Sequence, residues 1–347
     1  MKQIVFSVMI CFFVIQTSYA ENEKYLLVSP SAGLLNRLRS LASAYATASH
    51  LNRQLIIVWN KSSGHHMNVE LDELFQNNFP VLEQFTEQIG IKSEDLEKVK
   101  KGDSIPNIYS FKLEKKGPSK IQDTLMDPEI AKISMIYLFN AWRNFKPRDL
   151  ELEDYLQKYI EFYKNLRPIK VVEDKIAKYR NEYLNDDDFL IGLHIRNWTA
   201  AVGDGIYQHV LKKASMSDYF YAMDQAIKNA PKKKVRFYLA TDDPEIRPLL
   251  QKRYKDKILP SPIQEISRST SGQQDALIDW YLLAASNYII GTFQSSFSDE
   301  AALLTKERRK INVGASDFGF QQEFYFDSEG VFCHRDANMS SPNEFLD

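Results

Sequence analysis

Apolar positions along the chain fall into short continuous runs that alternate with stretches of helical period. Tyr25-Leu26-Leu27-Val28-Ser29 reads as a first strand, followed by the turn Pro30-Ser31-Ala32-Gly33. From Leu34 the apolar residues Leu38, Leu41, Ala42, Tyr45, Ala46 and Ala48 recur close to the helical period and predict an amphipathic helix. Gln54 to Trp59 is a second buried strand, so strand, helix and strand form a βαβ unit. Residues 60 to 130 are less regular, with a lysine-rich polar stretch from Glu94 to Lys120. They are expected to be surface helices and loops. Ile133 to Phe139 reads as another strand, and Glu151 to Tyr183 as a largely helical bridging segment broken at Pro168.

From Asp188 the strand–helix rhythm returns. Strands are expected at Phe189–His194, Arg236–Ala240, Tyr288–Gly291 and Lys310–Val313. Helices are expected at about Ser217–Asn229, Pro244–Tyr254, Asp275–Ser286 and Ser296–Leu304. Buried strands alternating with helices imply parallel sheets covered on both faces. The expected fold is α/β, with two Rossmann-like domains facing across a cleft, residues 21–170 and 171–347.

The first twenty residues stand apart. Lys2 precedes an apolar run from Ile4 to Ile15, and Ser18-Tyr19-Ala20 places small residues before a cut, the form of a secretory signal peptide. The run is shorter than the ~20 residues that span a bilayer, so export without a stable membrane span is expected, to a secretory lumen, a periplasm or the exterior. A net charge of -2 argues against a general nucleic-acid surface. Removal of the signal would take Cys11 and leave Cys333 as a lone thiol, so no internal disulfide is expected. No Cys/His cluster has metal-ligand spacing, and no metal or other cofactor is expected.

The candidate chemistry lies where strands stop. Phe189 to Leu193 ends in His194-Ile195-Arg196, with His194 and Arg196 on the same side of the strand. Phe237 to Ala240 ends in Thr241-Asp242-Asp243, and Tyr288 to Gly291 in Thr292-Phe293-Gln294-Ser295-Ser296. The carboxyl edge of a parallel sheet is where α/β proteins bind ligands. A guanidinium matches phosphate oxygens, carboxylates match ribose or base donors, and a helix starting at Ser296 turns free N–H groups outward. Together they suit an anionic, hydroxyl-rich ligand such as a nucleotide sugar. Asp243 before Pro244 also reads as a helix cap, and Ser296 with Asp299 as a helix start. Asp275 and Asp279 share one helix face and are expected to be solvated. Asn36, Arg37 and Arg39, at the N-terminal end of the first helix, read either as a solvated helix start or as a turn that faces the second domain across a cleft.

Three blocks carry a resemblance to a known family: Gly33-Leu34-Leu35-Asn36-Arg37-Leu38, His194-Ile195-Arg196, and Thr241-Asp242-Asp243 with Asp279 through Ser296. The chain resembles the fucosyltransferase superfamily that includes the α-1,6-fucosyltransferases, the NodZ type and the protein O-fucosyltransferases. The resemblance implies a two-lobed GT-B fold and a metal-independent inverting transfer of fucose from GDP-fucose to a glycan or protein hydroxyl. It implies Arg196 on the donor diphosphate, His194 and Asp279 near the guanosine, and Asp242 and Asp243 as an acidic pair. It further implies Ser295 on the donor and Asn36 at the reacting sugar.

Leu35 stands where the family's block has a second glycine, and Asn197-Trp198-Thr199 replaces the rest of its H-x-R-R-x-D form. An inverting transfer needs a base for the acceptor's proton. Asp204, in the turn Gly203-Asp204-Gly205, is the candidate. Two alternatives stay open: a glycosyltransferase using another nucleotide sugar, and a catalytically silent exported carbohydrate- or nucleotide-binding protein on the same fold.

Overall fold

The computed structural model describes residues 23–61, 67–112, 123–141, 144–196, 214–293 and 295–314, with short strands at 324–326 and 332–334. The proposed signal segment 1–20 and Asp204 lie outside the described residues. The first unit is a four-stranded parallel sheet in the order β2-β1-β4-β3. Its strands are β1 (Tyr25–Pro30), β2 (Gln54–Ile57), β3 (Ile108–Lys112) and β4 (Met135–Ala141). The helix α1 (Leu34–His50) follows β1 and buries Leu34, Leu38 and Leu41. Strand β3 falls inside the lysine-rich stretch expected to form loops and surface helices. Among the described residues it is a half-buried edge strand paired only with β4. With solvent on one side it needs few apolar residues, and its pattern is correspondingly weak.

Two helices, α2 (Leu152–Asn165) and α3 (Lys170–Tyr183), bridge to the second unit on either side of Pro168. The second sheet is also parallel, in the order β6-β5-β7-β8. It comprises β5 (Asp188–Ile195), β6 (Lys234–Thr241), β7 (Tyr288–Thr292) and β8 (Lys310–Val313). Among the described residues the helices that accompany it are α4 (Met216–Asn229), α5 (Ile246–Tyr254), α6 (Thr270–Ala284) and α7 (Ser296–Ala302). Ile191, Leu193 and Ile195 of β5 join Tyr219 and Met223 of α4 in one core. The intervening positions point to the other face, so Gly192 lies against Leu283 of α6 and Ser286 just beyond it, and His194 against α7.

A Cβ on Gly192 would stand 3.0 Å from Ser286 Oγ and 3.1 Å from both Ile289 Cγ1 and Leu283 Cδ2. All three neighbours are fully buried. Gly192→Ala is therefore expected to lower stability by about 1–3 kcal/mol, read from urea unfolding midpoints.

The helix α6 is buried on most of its circumference, including Leu277, Ile278, Trp280, Leu282 and Leu283. This corrects the expectation for its two acids: Asp275 is 2% exposed and Asp279 9%. Asp275 Oδ2 accepts the backbone N–H groups of Gln264 and Glu265, while Oδ1 pairs with Lys175 Nζ at 3.2 Å. It clamps the loop preceding α6. One apolar core runs through Leu38 of α1, Tyr159 and Tyr163 of α2, Trp280 of α6 and Ala301 of α7, so the two units share packing. Among the described residues no helix is long and apolar enough to cross a membrane.

Candidate functional site

The strand order of the second sheet reverses at β5: β6 is added on one side, then β7 and β8 on the other. Such a reversal leaves a crevice beyond the carboxyl ends of the strands. Arg196 follows directly on β5. Its backbone N–H donates to Thr292 Oγ1 at 2.9 Å, and its guanidinium lies 3.2 Å from the Asp242 carboxylate, just past β6. The arginine expected to hold a diphosphate and an acid of the acidic pair thus stand together at the crevice, both partly solvated.

Thr292, which opens the polar run after β7's apolar residues, is internal. It is 2% exposed, and its Oγ1 lies 2.6 Å from the Tyr219 hydroxyl besides receiving the Arg196 N–H. It ties the ends of β5 and β7 and thereby fixes where Arg196 leaves the sheet.

His194 is also internal. Its ring stacks on Phe297 at 5.1 Å, and Nδ1 lies 3.1 Å from Ser298 Oγ. Burial, reinforced by the charges of Lys310 and Arg196, pushes its pKa well below the usual histidine value. A neutral imidazole here can hydrogen-bond but brings no positive charge. It forms the floor behind Arg196.

Beside this edge is a cavity of about 240 Å³ lined by Thr241, Asp243, Arg247, Ile263, Ile266 and Asp279, among others. Whole small-molecule pockets usually run to roughly 300–1,000 Å³, so this one suits a base-sized part of a larger ligand. Asp243 Oδ1 accepts the Glu245 N–H at 2.9 Å, and α5 begins only at Ile246. The cap residue of α5 is Glu245, so Asp243 is not the helix cap expected of it but holds the turn before the helix. Asp279 accepts a hydrogen bond from the buried Tyr238 hydroxyl. Burial pushes its carboxyl up to about 7, helped by Asp275 and opposed by the Tyr238 hydrogen bond and the Arg247 charge. Tyr238 and Arg247 were not legible as site residues, because one lies inside an apolar strand and the other in a charged helix.

At β7 the cap of α7 is Ser295, one residue earlier than expected, and Ser296 is the first helical residue. The Ser295 carbonyl receives the Asp299 N–H and the Ser298 hydroxyl. Both Ser295 and Ser296 are half-buried at the crevice edge.

Across from this edge, the turn after β1 leads into α1 at the corresponding reversal of the first sheet, between β1 and β4. Asn36 is half-buried in the first turn of α1, Arg37 is buried and Arg39 is 12% exposed, so of the two readings of this turn the solvated one does not hold. Arg37 donates to the carbonyls of Ala32 and Asn60 and lies over the Trp59 ring. Arg39 crosses to the second unit, where it pairs with Asp299 at 3.0 Å and with Glu300. Glu300 also accepts the hydroxyls of Tyr159 at 2.7 Å and Tyr163 at 2.8 Å. Lys310 Nζ, wholly buried, donates to Asp299 at 2.7 Å and to the Thr292 carbonyl. Two cations thus face two carboxylates under the crevice. A lysine opening an apolar strand was the sequence signal for this network.

The sequence matches no known family profile and no curated protein. Solved structures do match the fold. NodZ fucosyltransferase from Bradyrhizobium is 18% identical over 84% of this chain and 95% of its own, with a TM-score of 0.56. A mutant of Arabidopsis thaliana FUT1 in complex with GDP is 17% identical over 92% of this chain and 80% of its own, with a TM-score of 0.58. POFUT1 in complex with GDP-fucose is 11% identical over 84% of this chain and 99% of its own, with a TM-score of 0.52. The chain has the two-sheet α/β architecture of these GT-B fucosyltransferases.

Proposed function

We propose that the protein is an inverting glycosyltransferase that moves fucose from GDP-fucose to a glycan or protein hydroxyl. The observation that carries this reading is the position of Arg196, at the crevice edge and next to a base-sized cavity containing the Asp279 carboxyl. NodZ has been crystallised with GDP and soaked with GDP-fucose, which supports the same donor here.

On this reading the Arg196 fork binds the diphosphate and stabilises charge on GDP as the bond to the anomeric carbon breaks. The acceptor oxygen forms the new bond from the opposite face and gives its proton to a base, proposed to be Asp204. Asn36 reaches the sugar from the first unit, and Ser295 and Ser296 meet the donor at β7. The arginine supplies the positive charge, so the proposal requires no metal. Export through the N-terminal segment belongs to the same proposal and implies a lumen or exterior supplied with the donor.

A thermal-shift series with GDP, UDP and CMP tests the donor class. Selective stabilisation by GDP is expected, because ligands that bind the folded state raise its melting temperature. Preference for UDP would move the reading to another nucleotide sugar. Silence with all three would leave only the scaffold.

Asp279 adds a pH dependence. An ionised carboxylate accepts the N–H donors of guanine, whereas the neutral acid offers fewer acceptor sites. With its pKa raised to about 7, the carboxyl is largely protonated in mildly acidic solution. GDP affinity is expected to rise as pH increases through this value and to fall about tenfold per pH unit well below it. Asp279→Asn should bind GDP weakly with a flat profile. A wild-type titration by calorimetry that is flat from acid to neutral pH would contradict this role.

A further inference from the structure

Among the described residues that line the cavity beside β6, Arg247 of α5 carries the only positive charge. It is half-buried in the first turn of the helix, and its side chain turns back to the sheet. Nη1 donates to the Leu259 carbonyl at 2.7 Å and Nη2 to the Leu239 carbonyl at 2.9 Å. These carbonyls end two neighbouring segments, because Phe237 of β6 pairs in parallel with Ile258 and accepts the Leu259 N–H. The guanidinium therefore spans the seam between β6 and the chain beside it, fixed at two nitrogens. Asp279 lines the same cavity from α6, with one oxygen held by the Tyr238 hydroxyl. Among the described residues no ion pair joins Arg247 to Asp279, so the cavity holds a cation and an acid apart.

The facing wall is apolar and equally well held. Ile263 and Ile266, on the loop before α6, line the cavity, and Ile266 is 53% exposed at its mouth. Asp275 accepts two backbone N–H groups of this loop, at Gln264 and Glu265. The Glu265 carboxylate gathers the hydroxyls of Ser267, Ser269 and Ser271, which ties the loop to the start of α6. Apolar side chains on one wall, with an acid and a guanidinium beside them, suit a flat heterocycle with polar edges.

A carboxylate only accepts hydrogen bonds and a guanidinium only donates them. Guanine presents both complements side by side, with N–H donors at N1 and N2 and an acceptor at O6. Adenine instead carries an amino donor where guanine has O6. Asp279 alone would take any base with an exposed amino group, whereas a fixed cation beside it demands a neighbouring acceptor. We propose that Arg247 is a specificity-determining residue, which donates to O6 of the guanine while Asp279 accepts from its N1 and N2 groups. This rests on the nucleotide-sugar reading above and supplies the second half of its base recognition. Only two of the guanidinium's N–H donors are engaged by the carbonyls, and the group carries others for a ligand. An adenine in this cavity would set its amino group against the guanidinium and its bare N1 against the carboxylate.

The test is calorimetric binding of GDP and 6-thio-GDP to wild type, Arg247→Ala and Arg247→Lys, all at one pH. The thio analogue replaces O6 by sulfur, a weak acceptor, and keeps the N–H groups that face Asp279. Wild type is expected to prefer GDP about tenfold or more, the usual size of a lost hydrogen bond to a charged group. In Arg247→Ala the affinity for GDP should fall to that for 6-thio-GDP, so that the preference disappears. Arg247→Lys should keep part of it, since the charge remains and the planar fork does not. Arg247→Ala also strands two carbonyls, and its melting temperature checks folding. Should it not fold, Arg247→Lys carries the test, and a preference as large as that of wild type overturns the assignment. A wild type that binds both nucleotides equally also overturns it. So does an alanine variant that weakens both alike and keeps the preference, the behaviour of a residue that only braces the wall. If wild type binds no guanine nucleotide, the nucleotide-sugar reading fails, and the assignment of Arg247 fails with it.

Discussion

Replacing Arg196 with alanine is expected to slow fucose transfer from GDP-fucose by about a hundred- to a thousandfold, the usual cost of removing a donor aimed at charge formed in the transition state. The side chain leaves the sheet at the point where β5 and β7 are tied by Thr292, so its origin is fixed by a buried hydroxyl. Its head is only partly enclosed beside Asp242, which leaves room for phosphate oxygens. Arg196→Lys should fall between wild type and alanine, because a lysine keeps the charge and loses the fork. The loss should appear in single-turnover transfer and GDP release, with guanosine affinity largely retained. Equal rates for wild type and alanine would remove Arg196 from the mechanism, whatever else the crevice binds.

The second large effect concerns stability. Glu300 is wholly buried, with Arg39 on one oxygen and the hydroxyls of Tyr159 and Tyr163 on the other. Burial raises its pKa, and Arg39 is the main force opposing that shift. Glu300→Ala would strand a buried guanidinium with half its counter-charge and leave two phenols without their acceptor. A loss of about 3–5 kcal/mol is expected, as for other buried pairs broken on one side. Glu300→Gln keeps an acceptor for the tyrosines and should lose less. Urea denaturation of both variants measures this. A loss below about 1 kcal/mol for alanine, within the range of ordinary surface changes, would show that the network is not holding the units together.

The sequence was most informative where an apolar run met an abrupt polar end. At Arg196, Asp242 and Thr292 the strand ends were legible because a near-continuous apolar run gives way there to polar residues. What each polar residue does was less legible. Thr292 stands in a polar run, yet its hydroxyl is bonded internally to Tyr219, and one ring nitrogen of His194 is bonded to Ser298. Asp279 shares a helix face with Asp275, which suggests solvent only when the packing around α6 is unknown. Edge strand β3 was hidden in a lysine-rich stretch because one of its sides needs no apolar partner. The segment Ser267-Arg268-Ser269-Thr270-Ser271 has the composition of a linker. Only its bonds to the Glu265 carboxylate tie it to the loop that lines the cavity. Arg39 and Glu300 are 261 positions apart, and no local pattern links them.

The short helix α7 bears on how this protein can be re-engineered. Ser298 contacts His194, and the next two residues, Asp299 and Glu300, hold Arg39 of the opposite unit. A chimera that grafts the second half onto a foreign first half must therefore bring Arg39, Tyr159 and Tyr163 along with it. Otherwise the transplanted half carries Glu300 without its cation and phenols into the seam, with Asp299 left to Lys310 alone, directly beneath its own crevice.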